Sequence, residues 1–82
     1  MATLSVIVLS KDVEKEIVPT LKTAHFASEI ILVDTGSTDK TIEVSRPFIT
    51  KVIKTSPTQN FARWRNEGAK AASGDWLLYL DS

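Results

Sequence analysis

Three short apolar runs, each nearly continuous rather than alternating, constrain the fold of this chain most strongly. They occupy residues 4–9, 30–33 and 76–80. The first two are rich in β-branched residues, and continuous runs of this length are typical of strands buried on both faces, as in a parallel sheet. A weaker run, Lys51–Lys54, carries a charge at each end, which suits an edge strand. The sequence therefore predicts four strands.

Helical patterns lie between these strands. Asp12 is predicted to cap the first helix, and Pro19 is expected in the first turn of its main part, because proline is costly in a helix interior. In the second pattern Ser37 or Thr38 is the predicted N-cap, and Pro47 limits the end of the helix. The third helix is predicted from about residue 60 to residue 72.

Alternation of strands and helices in the order β-α-β-α-β-α-β predicts an α/β protein, a Rossmann-like three-layer α/β/α fold with a parallel sheet. Crossovers between parallel strands are almost always right-handed. If the fourth strand returns beside the first, the strand order is 3-2-1-4. Residues 1–82 contain no repeat, linker or low-complexity stretch, so we expect a single domain.

Composition excludes several classes of protein. Ten basic and ten acidic residues give a net charge of zero, so there is no basic footprint for a nucleic acid. The absence of cysteine excludes a disulfide framework, and the single histidine, His25, argues against a Ser-His-Asp triad. The apolar runs are far shorter than the roughly 20 residues that span a bilayer. We expect a cytoplasmic protein, with any attachment to a membrane surface made through regions outside this chain.

Polar residues end three of the predicted strands. Ligands of open α/β sheets bind beyond the carboxyl ends of the strands, where the strand order reverses, here between strands one and four. Strand one ends at Ser10, strand two at Asp34 and strand four at Asp81. Two carboxylates and a hydroxyl are therefore predicted to converge. For Asp34, which precedes a glycine turn, turn chemistry and function are equally good explanations.

The sequence lacks the usual phosphate-binding loops. No Gly-x-Gly-x-x-Gly or Gly-Lys-Ser/Thr motif follows a strand, and Asp12 at the start of the first helical pattern would repel a pyrophosphate. The phosphates of a nucleotide would then need another counter-charge. A divalent metal held by Asp81 and a neighbouring carboxylate is the simplest source.

Four segments match one known family in order and spacing. They are the opening strand at 4–11, a second-strand signature at 29–41, an Arg-Asn-x-Gly element at 65–68 and the approach to an Asp-x-Asp motif at 72–82. Through them the whole chain resembles the N-terminal, nucleotide-binding half of a family 2 glycosyltransferase with the GT-A fold.

This resemblance implies an enzyme that transfers a sugar from a nucleotide-diphosphate sugar to an acceptor hydroxyl on a glycan, lipid or protein. Members are generally inverting, so that the acceptor, helped by a general base, displaces the nucleoside diphosphate in one step. A Mg or Mn ion at the Asp-x-Asp motif neutralises the leaving diphosphate. No nucleic acid and no membrane segment are implied for this chain.

The resemblance also implies roles for four residues. Ser10 would line the nucleotide pocket, and Asp34 would lie beside the base or ribose. Arg65 would approach the nucleotide. Asp81 would be the first Asp of Asp-x-Asp, near the ribose and the metal.

The chain departs from the family pattern at three places. Thr35 replaces a second Asp that touches the base in many members, and Asp12 replaces an Asn. At Asp81-Ser82 the motif lacks its second carboxylate, so Asp81 is only a partial metal site. The general base is expected beyond Ser82, with no catalytic residue within the chain. We therefore expect an N-terminal fragment that is inactive alone.

Three alternatives remain. A non-catalytic remnant could still bind a nucleotide. A phosphoacceptor receiver domain would need a carboxylate pair after strand one and an Asp after strand three, where this chain has residues 10–12 and Thr55-Ser56. A purely structural α/β fragment would leave the predicted convergence of Asp34 and Asp81 unexplained.

Overall fold

The predicted strands form a parallel sheet in the computed structural model, which describes residues 2–55 and 61–81. The strands are β1 (Leu4–Ser10), β2 (Glu29–Asp34), β3 (Lys51–Lys54) and β4 (Trp76–Asp81). Their order is β3-β2-β1-β4, and each neighbouring pair is parallel. This confirms the predicted fold class and the order 3-2-1-4.

The helices also lie close to their predicted positions. They are α1 (Ile17–Thr23), α2 (Thr41–Ser45), which continues into a 3-10 turn at Arg46–Phe48, and α3 (Phe61–Ala71). Pro19 lies in the first turn of α1, as predicted, and Asn60 lies outside the described residues. Within residues 2–55 and 61–81, no helix has the length and hydropathy needed to cross a membrane.

Both predicted N-caps are wrong. A turn separates Asp12 from α1, whose capping position is Glu16, and Asp12 has the left-handed backbone angle φ 51°. Its carboxylate instead accepts a hydrogen bond from the backbone N–H of Thr38. Helix α2 begins only at Thr41, beyond both Ser37 and Thr38. In each case the polar group bonds to the segment that follows the other strand, β1 or β2, instead of capping its own helix.

The two faces of the sheet are covered by different helices. On one face, Val6, Val8 and Leu32 pack with α1, and the apolar side chains of α2 lie against the same cluster. On the other face, Ile7, Ile31 and Val33 pack against residues of α3, including Trp64. The result is the three-layer arrangement that right-handed crossovers require.

Helix α3 approaches the sheet closely at Gly68. A Cβ atom placed there would lie 2.6 Å from Cγ2 of Ile7, whose side chain is fully buried. We expect Gly68→Ala to lower the free energy of unfolding by about 1–3 kcal/mol, although alanine is the better helix former, because the packed core cannot accept the added methyl. Urea denaturation measures this, with the exposed Lys70→Ala on the same helix as a control. Equal midpoints for the two variants would contradict the prediction.

A buried carboxylate holds the amino-terminal ends of the strands together. Glu29 is 7% exposed and accepts hydrogen bonds from the hydroxyl of Ser5 (2.8 Å) and the backbone N–H of Ser73 (2.9 Å). Its other oxygen lies 3.1 Å from Nζ of Lys51. The N–H of Ser73 and the hydroxyl of Ser5 are the main causes that lower the pKa of Glu29 to about 2. The network joins β1, β2, β3 and the segment before β4.

Strand β4 is the most apolar exposed part of the sheet. Four large hydrophobic side chains are exposed among the described residues. Three of them, Trp76, Leu77 and Leu78, lie on β4, and the fourth is Phe26. The strand pairs with β1 on one side and is the outermost strand of the described sheet. Apolar edge strands of this kind are prone to association.

Candidate functional site

The residues predicted to converge end their strands at the same edge of the sheet. Ser10 of β1 is directly opposite Asp34 of β2, and Asp81 of β4 is opposite Leu9. This edge includes the point between β1 and β4 where the strand order reverses, which is where ligands of open α/β sheets bind. The backbone therefore brings the three predicted positions together.

Asp34 is the centre of a hydrogen-bond network. The carboxylate is 2% exposed, and its Oδ1 accepts hydrogen bonds from the hydroxyls of Ser10 (3.0 Å) and Ser37. Its Oδ2 accepts from the backbone N–H groups of Gly36 (3.2 Å) and Ser37 (2.9 Å). Four donors match the acceptor capacity of a carboxylate. The turn chemistry that the sequence suggested is therefore present, and a role beside a base or ribose stays a prediction.

Thr35 ties the end of β2 to the end of β1. Its backbone N–H and its hydroxyl both donate to the carbonyl oxygen of Ser10, at 3.0 and 3.2 Å. Both groups are buried with the residue, which is 5% exposed. At the position where many members of the family that this chain resembles are expected to have an Asp, this chain therefore has a side chain that binds its own backbone.

The two loops at this edge are joined by side chains that the sequence analysis did not connect. We call residues 11–16 the first loop and residues 35–40 the second loop. The N–H of Asp12 donates to the hydroxyl of Ser37 (2.9 Å), and the N–H of Thr38 donates to Asp12 Oδ1 (2.7 Å). The N–H of Glu14 donates to Asp39 Oδ2 (3.2 Å). The density of Ser, Thr and Asp in both loops is the signal that could have indicated this pairing.

Asp39 also organises the start of α2. Its Oδ1 accepts from both the hydroxyl and the N–H of Thr41, the latter at 2.9 Å. The hydroxyl of Thr41 is the main cause that holds the pKa of Asp39 below its ordinary value. The carboxylate thus stays ionised while it serves donors from two elements.

Arg65 lies on α3 beside β4. Its guanidinium carbon is 4.3 Å from the centre of the Tyr79 ring, a cation–π geometry. Tyr79 is two residues before Asp81 in β4, and the sequence analysis did not single it out. The contact places Arg65 near the strand that ends at Asp81. Its predicted approach to a nucleotide stays a prediction.

The described residues do not complete a metal site. Within residues 2–55 and 61–81, no group of three or more His, Cys, Asp or Glu residues is placed to hold an ion. Asp34 and Asp39 already accept hydrogen bonds from several donors. Ser82 and the side chain of Asp81 lie outside what the structure describes, so the predicted metal role of Asp81 is not tested.

The single histidine lies away from this edge. His25 follows α1 and lines a groove of about 470 Å³ together with Glu29, Ile30 and Thr50, at or beside the amino-terminal ends of β2 and β3. It is therefore at the opposite edge of the sheet from Ser10 and Asp34.

A doubly wound parallel sheet with polar strand ends at its reversal point is typical of nucleotide-binding α/β proteins. The family model described as glycosyl transferase family 2 matches residues 5–82, and the chain belongs to this family. The chain is 33% identical to a TPR repeat-containing protein of Synechococcus elongatus, over 100% of this chain and 21% of that protein. It is 43% identical to an uncharacterized glycosyltransferase of Haemophilus influenzae, covering 65% of this chain and 18% of that protein.

The fold is also similar to that of glucosyl-3-phosphoglycerate synthase from Mycobacterium tuberculosis, solved with Mn²⁺, uridine diphosphate (UDP) and glucosyl-3-phosphoglycerate. The TM-score is 0.74 at 25% identity, over 99% of this chain and 33% of that one. The same enzyme has been crystallised with Mg²⁺ and UDP. The chain thus spans about a fifth of the curated relatives and a third of the solved one.

Proposed function

We propose that this chain is the nucleotide-sugar-binding part of an inverting glycosyltransferase, which transfers a sugar from a nucleotide-diphosphate sugar to an acceptor hydroxyl. The observation that carries the proposal is the meeting of Ser10, Asp34 and the end of β4 at the reversal point of the sheet, in a chain of glycosyl transferase family 2. The acceptor class stays open between a glycan, a lipid and a protein.

Each residue has a proposed part in donor binding. Ser10 and Asp34 form one hydrogen-bonded wall of the nucleotide pocket, with Asp34 near the base or ribose. Arg65 supplies positive charge from α3, where its contact with Tyr79 limits its range of positions. Asp81 lies near the ribose and contributes one carboxylate to a divalent ion. The similarity to an enzyme solved with UDP and Mn²⁺ supports this choice of ligand.

Catalysis of transfer needs a general base, and in the described part of this edge the carboxylates of Asp34 and Asp39 already accept hydrogen bonds from several donors. His25 lies at the other edge of the sheet. We propose that the base follows Ser82 in sequence, and that residues 1–82 alone bind the donor without transferring the sugar. A nucleotide-binding module without chemistry is the second candidate, and the hydrogen bonds that already occupy the Asp34 and Asp39 carboxylates favour it.

Titration with UDP, in the presence and absence of Mn²⁺, tests the proposal, with ADP and GDP as comparisons. We expect calorimetry to detect UDP binding that Mn²⁺ strengthens by less than about tenfold, or about 1.4 kcal/mol, because the described residues hold no complete ligand set. Asp81→Asn should abolish this metal dependence, whereas Asp75→Asn, which changes an exposed carboxylate before β4, should preserve it.

Three outcomes would contradict parts of the proposal. Absence of binding by all three nucleotides would overturn the nucleotide site. A stronger dependence on Mn²⁺ would mean that the metal site is complete. Release of UDP from a UDP-sugar in the presence of an acceptor would overturn the expected inactivity of these 82 residues.

A further inference from the structure

We propose that Asp12 and Asp39 are positioning residues that join the first and second loops into one unit behind Ser10 and Asp34. They act through neighbouring groups rather than by touching the nucleotide. The claim that this unit affects nucleotide affinity rests on the proposed function, whereas the joining of the loops can be measured without any ligand.

A continuous series of hydrogen bonds leads from Asp12 to the candidate site. The N–H of Asp12 donates to Ser37 Oγ, the hydroxyl of Ser37 donates to Asp34, and Asp34 also accepts the hydroxyl of Ser10. The carboxylate of Asp12 also fixes Thr38, the residue after Ser37 in the second loop. Its Oδ1 accepts the N–H of Thr38 at 2.7 Å and the Thr38 hydroxyl at 3.3 Å. A shift of Asp12 would therefore displace the donors of Asp34.

Asp39 makes the second connection between the loops. One oxygen accepts the N–H of Glu14 in the first loop, and the other accepts the N–H and hydroxyl of Thr41 at the start of α2. The oxygen of that hydroxyl in turn accepts the N–H of Val13 (2.9 Å). Thr41 is fully buried, and its bonds with Asp39 and Val13 are part-buried. Two consecutive N–H groups of the first loop thus depend on Asp39 and Thr41.

The charges of Asp12 and Asp39 cannot explain a favourable effect on the proposed ligand. A nucleoside diphosphate is an anion, and carboxylates near it raise the electrostatic free energy of the complex. If the two residues favour binding, they do so through the hydrogen bonds that fix the loops. This distinction determines the design of the test.

Substitutions at position 12 can test the hydrogen-bond acceptor of the side chain separately from the left-handed backbone conformation. Because its φ is 51°, Asn and Gly can occupy it with little strain, whereas Ala cannot. Both bonds of the side chain use Oδ1, so Asp12→Asn keeps the acceptor and removes only the charge. Asp12→Gly keeps the conformation and removes the acceptor. Asp12→Ala removes the acceptor and adds strain.

Position 39 provides the contrasting variant. Both oxygens of Asp39 accept backbone N–H groups, one from Glu14 and one from Thr41. In Asp39→Asn, whichever way the amide is turned, its NH₂ group faces one of these donors, and that bond is lost. Asp12→Asn and Asp39→Asn therefore each remove one negative charge. Asp12→Asn keeps the hydrogen bonds of its side chain, whereas Asp39→Asn loses one.

Amide hydrogen exchange and UDP titration are the two measurements, with urea denaturation to follow stability. We expect Asp12→Gly to speed amide exchange at Thr38 by about tenfold, and Asp39→Asn to speed it at Glu14 or Thr41 by about the same factor. Both variants should weaken UDP binding by about three- to tenfold, which is the effect of losing about one hydrogen bond. Asp12→Asn should stay within about twofold of the wild type in both measurements. Glu43→Gln removes an exposed charge from α2 outside both loops and serves as the control.

The outcomes separate the possible explanations. If Asp12→Asn and Asp39→Asn change UDP affinity equally, charge and not geometry is responsible, and the positioning role is overturned. If affinity falls only in proportion to the urea midpoint, the residues are merely structural, and the role is likewise overturned. If the wild type binds none of UDP, ADP and GDP, the proposed function fails, while unchanged exchange in Asp12→Gly and Asp39→Asn would overturn the joining of the loops itself.

Discussion

Replacement of Asp34 by alanine is expected to lower the free energy of unfolding by about 2–4 kcal/mol, because the donors of Ser10, Gly36 and Ser37, whose bonds to this carboxylate are buried or part-buried, lose their acceptor together. Asp34→Asn should recover only part of this loss, since its NH₂ group would face either the N–H donors or the hydroxyls. Urea denaturation followed by circular dichroism measures both variants.

Asp75→Ala is the matched control for Asp34→Ala. Asp75 also accepts two hydrogen bonds, from the N–H and hydroxyl of Thr3, but it is exposed at the opposite edge of the sheet. Water can replace the Asp75 carboxylate as the acceptor for these two donors, so we expect a loss below about 1 kcal/mol. Equal losses for Asp34→Ala and Asp75→Ala would contradict the role of Asp34 as a buried organiser of the site.

Replacement of Glu29 by glutamine is expected to lower the free energy of unfolding by about 3 kcal/mol at neutral pH. The substitution removes the charge beside Lys51, and it also removes one acceptor for Ser73 or Ser5. The cost should depend on pH. The pKa of Glu29 is lowered from 4.5 to about 2 in the folded state, so its stabilisation is fully present above pH 4.5. It is lost as the pH falls from 4.5 towards 2.

The measurement is the difference in urea midpoint between the wild type and Glu29→Gln at a series of pH values. This difference should be constant from pH 7 to about pH 5 and should shrink below that. Glu43→Gln, at an exposed position of α2, should show a small difference throughout. A difference for Glu29→Gln that does not change between pH 5 and pH 2 would contradict the lowered pKa.

The sheet could be predicted from the sequence because its signals are local. The continuous apolar runs at 4–9, 30–33 and 76–80 indicate strands that are buried on both faces. The order 3-2-1-4 follows from them with right-handed crossovers and the added condition that the fourth strand returns beside the first. The convergence of Ser10, Asp34 and Asp81 follows from that order alone, since each residue ends its strand. These parts of the candidate site required no knowledge of side-chain contacts.

The loops could not be predicted in the same way because their side chains choose between local and distant partners. Asp12 and Thr38 both have the chemistry of helix caps, and both bind the other loop instead. Tyr79 beside Arg65 was missed because an aromatic residue in an apolar strand is usually explained by the core. Glu29 and Ser5 offered a usable signal, since polar residues in apolar strands require buried partners.

The two polar networks lie at opposite ends of the same strands. Glu29 joins the amino-terminal ends, while Asp34 and the joined loops occupy the carboxyl ends, about 17 Å away along the six residues of β2. Substitutions this far apart are generally additive in free energy. A library that varies only the two loops could therefore change ligand preference while leaving the Glu29 network intact, and stabilising changes at the amino-terminal ends could compensate for what such a library loses.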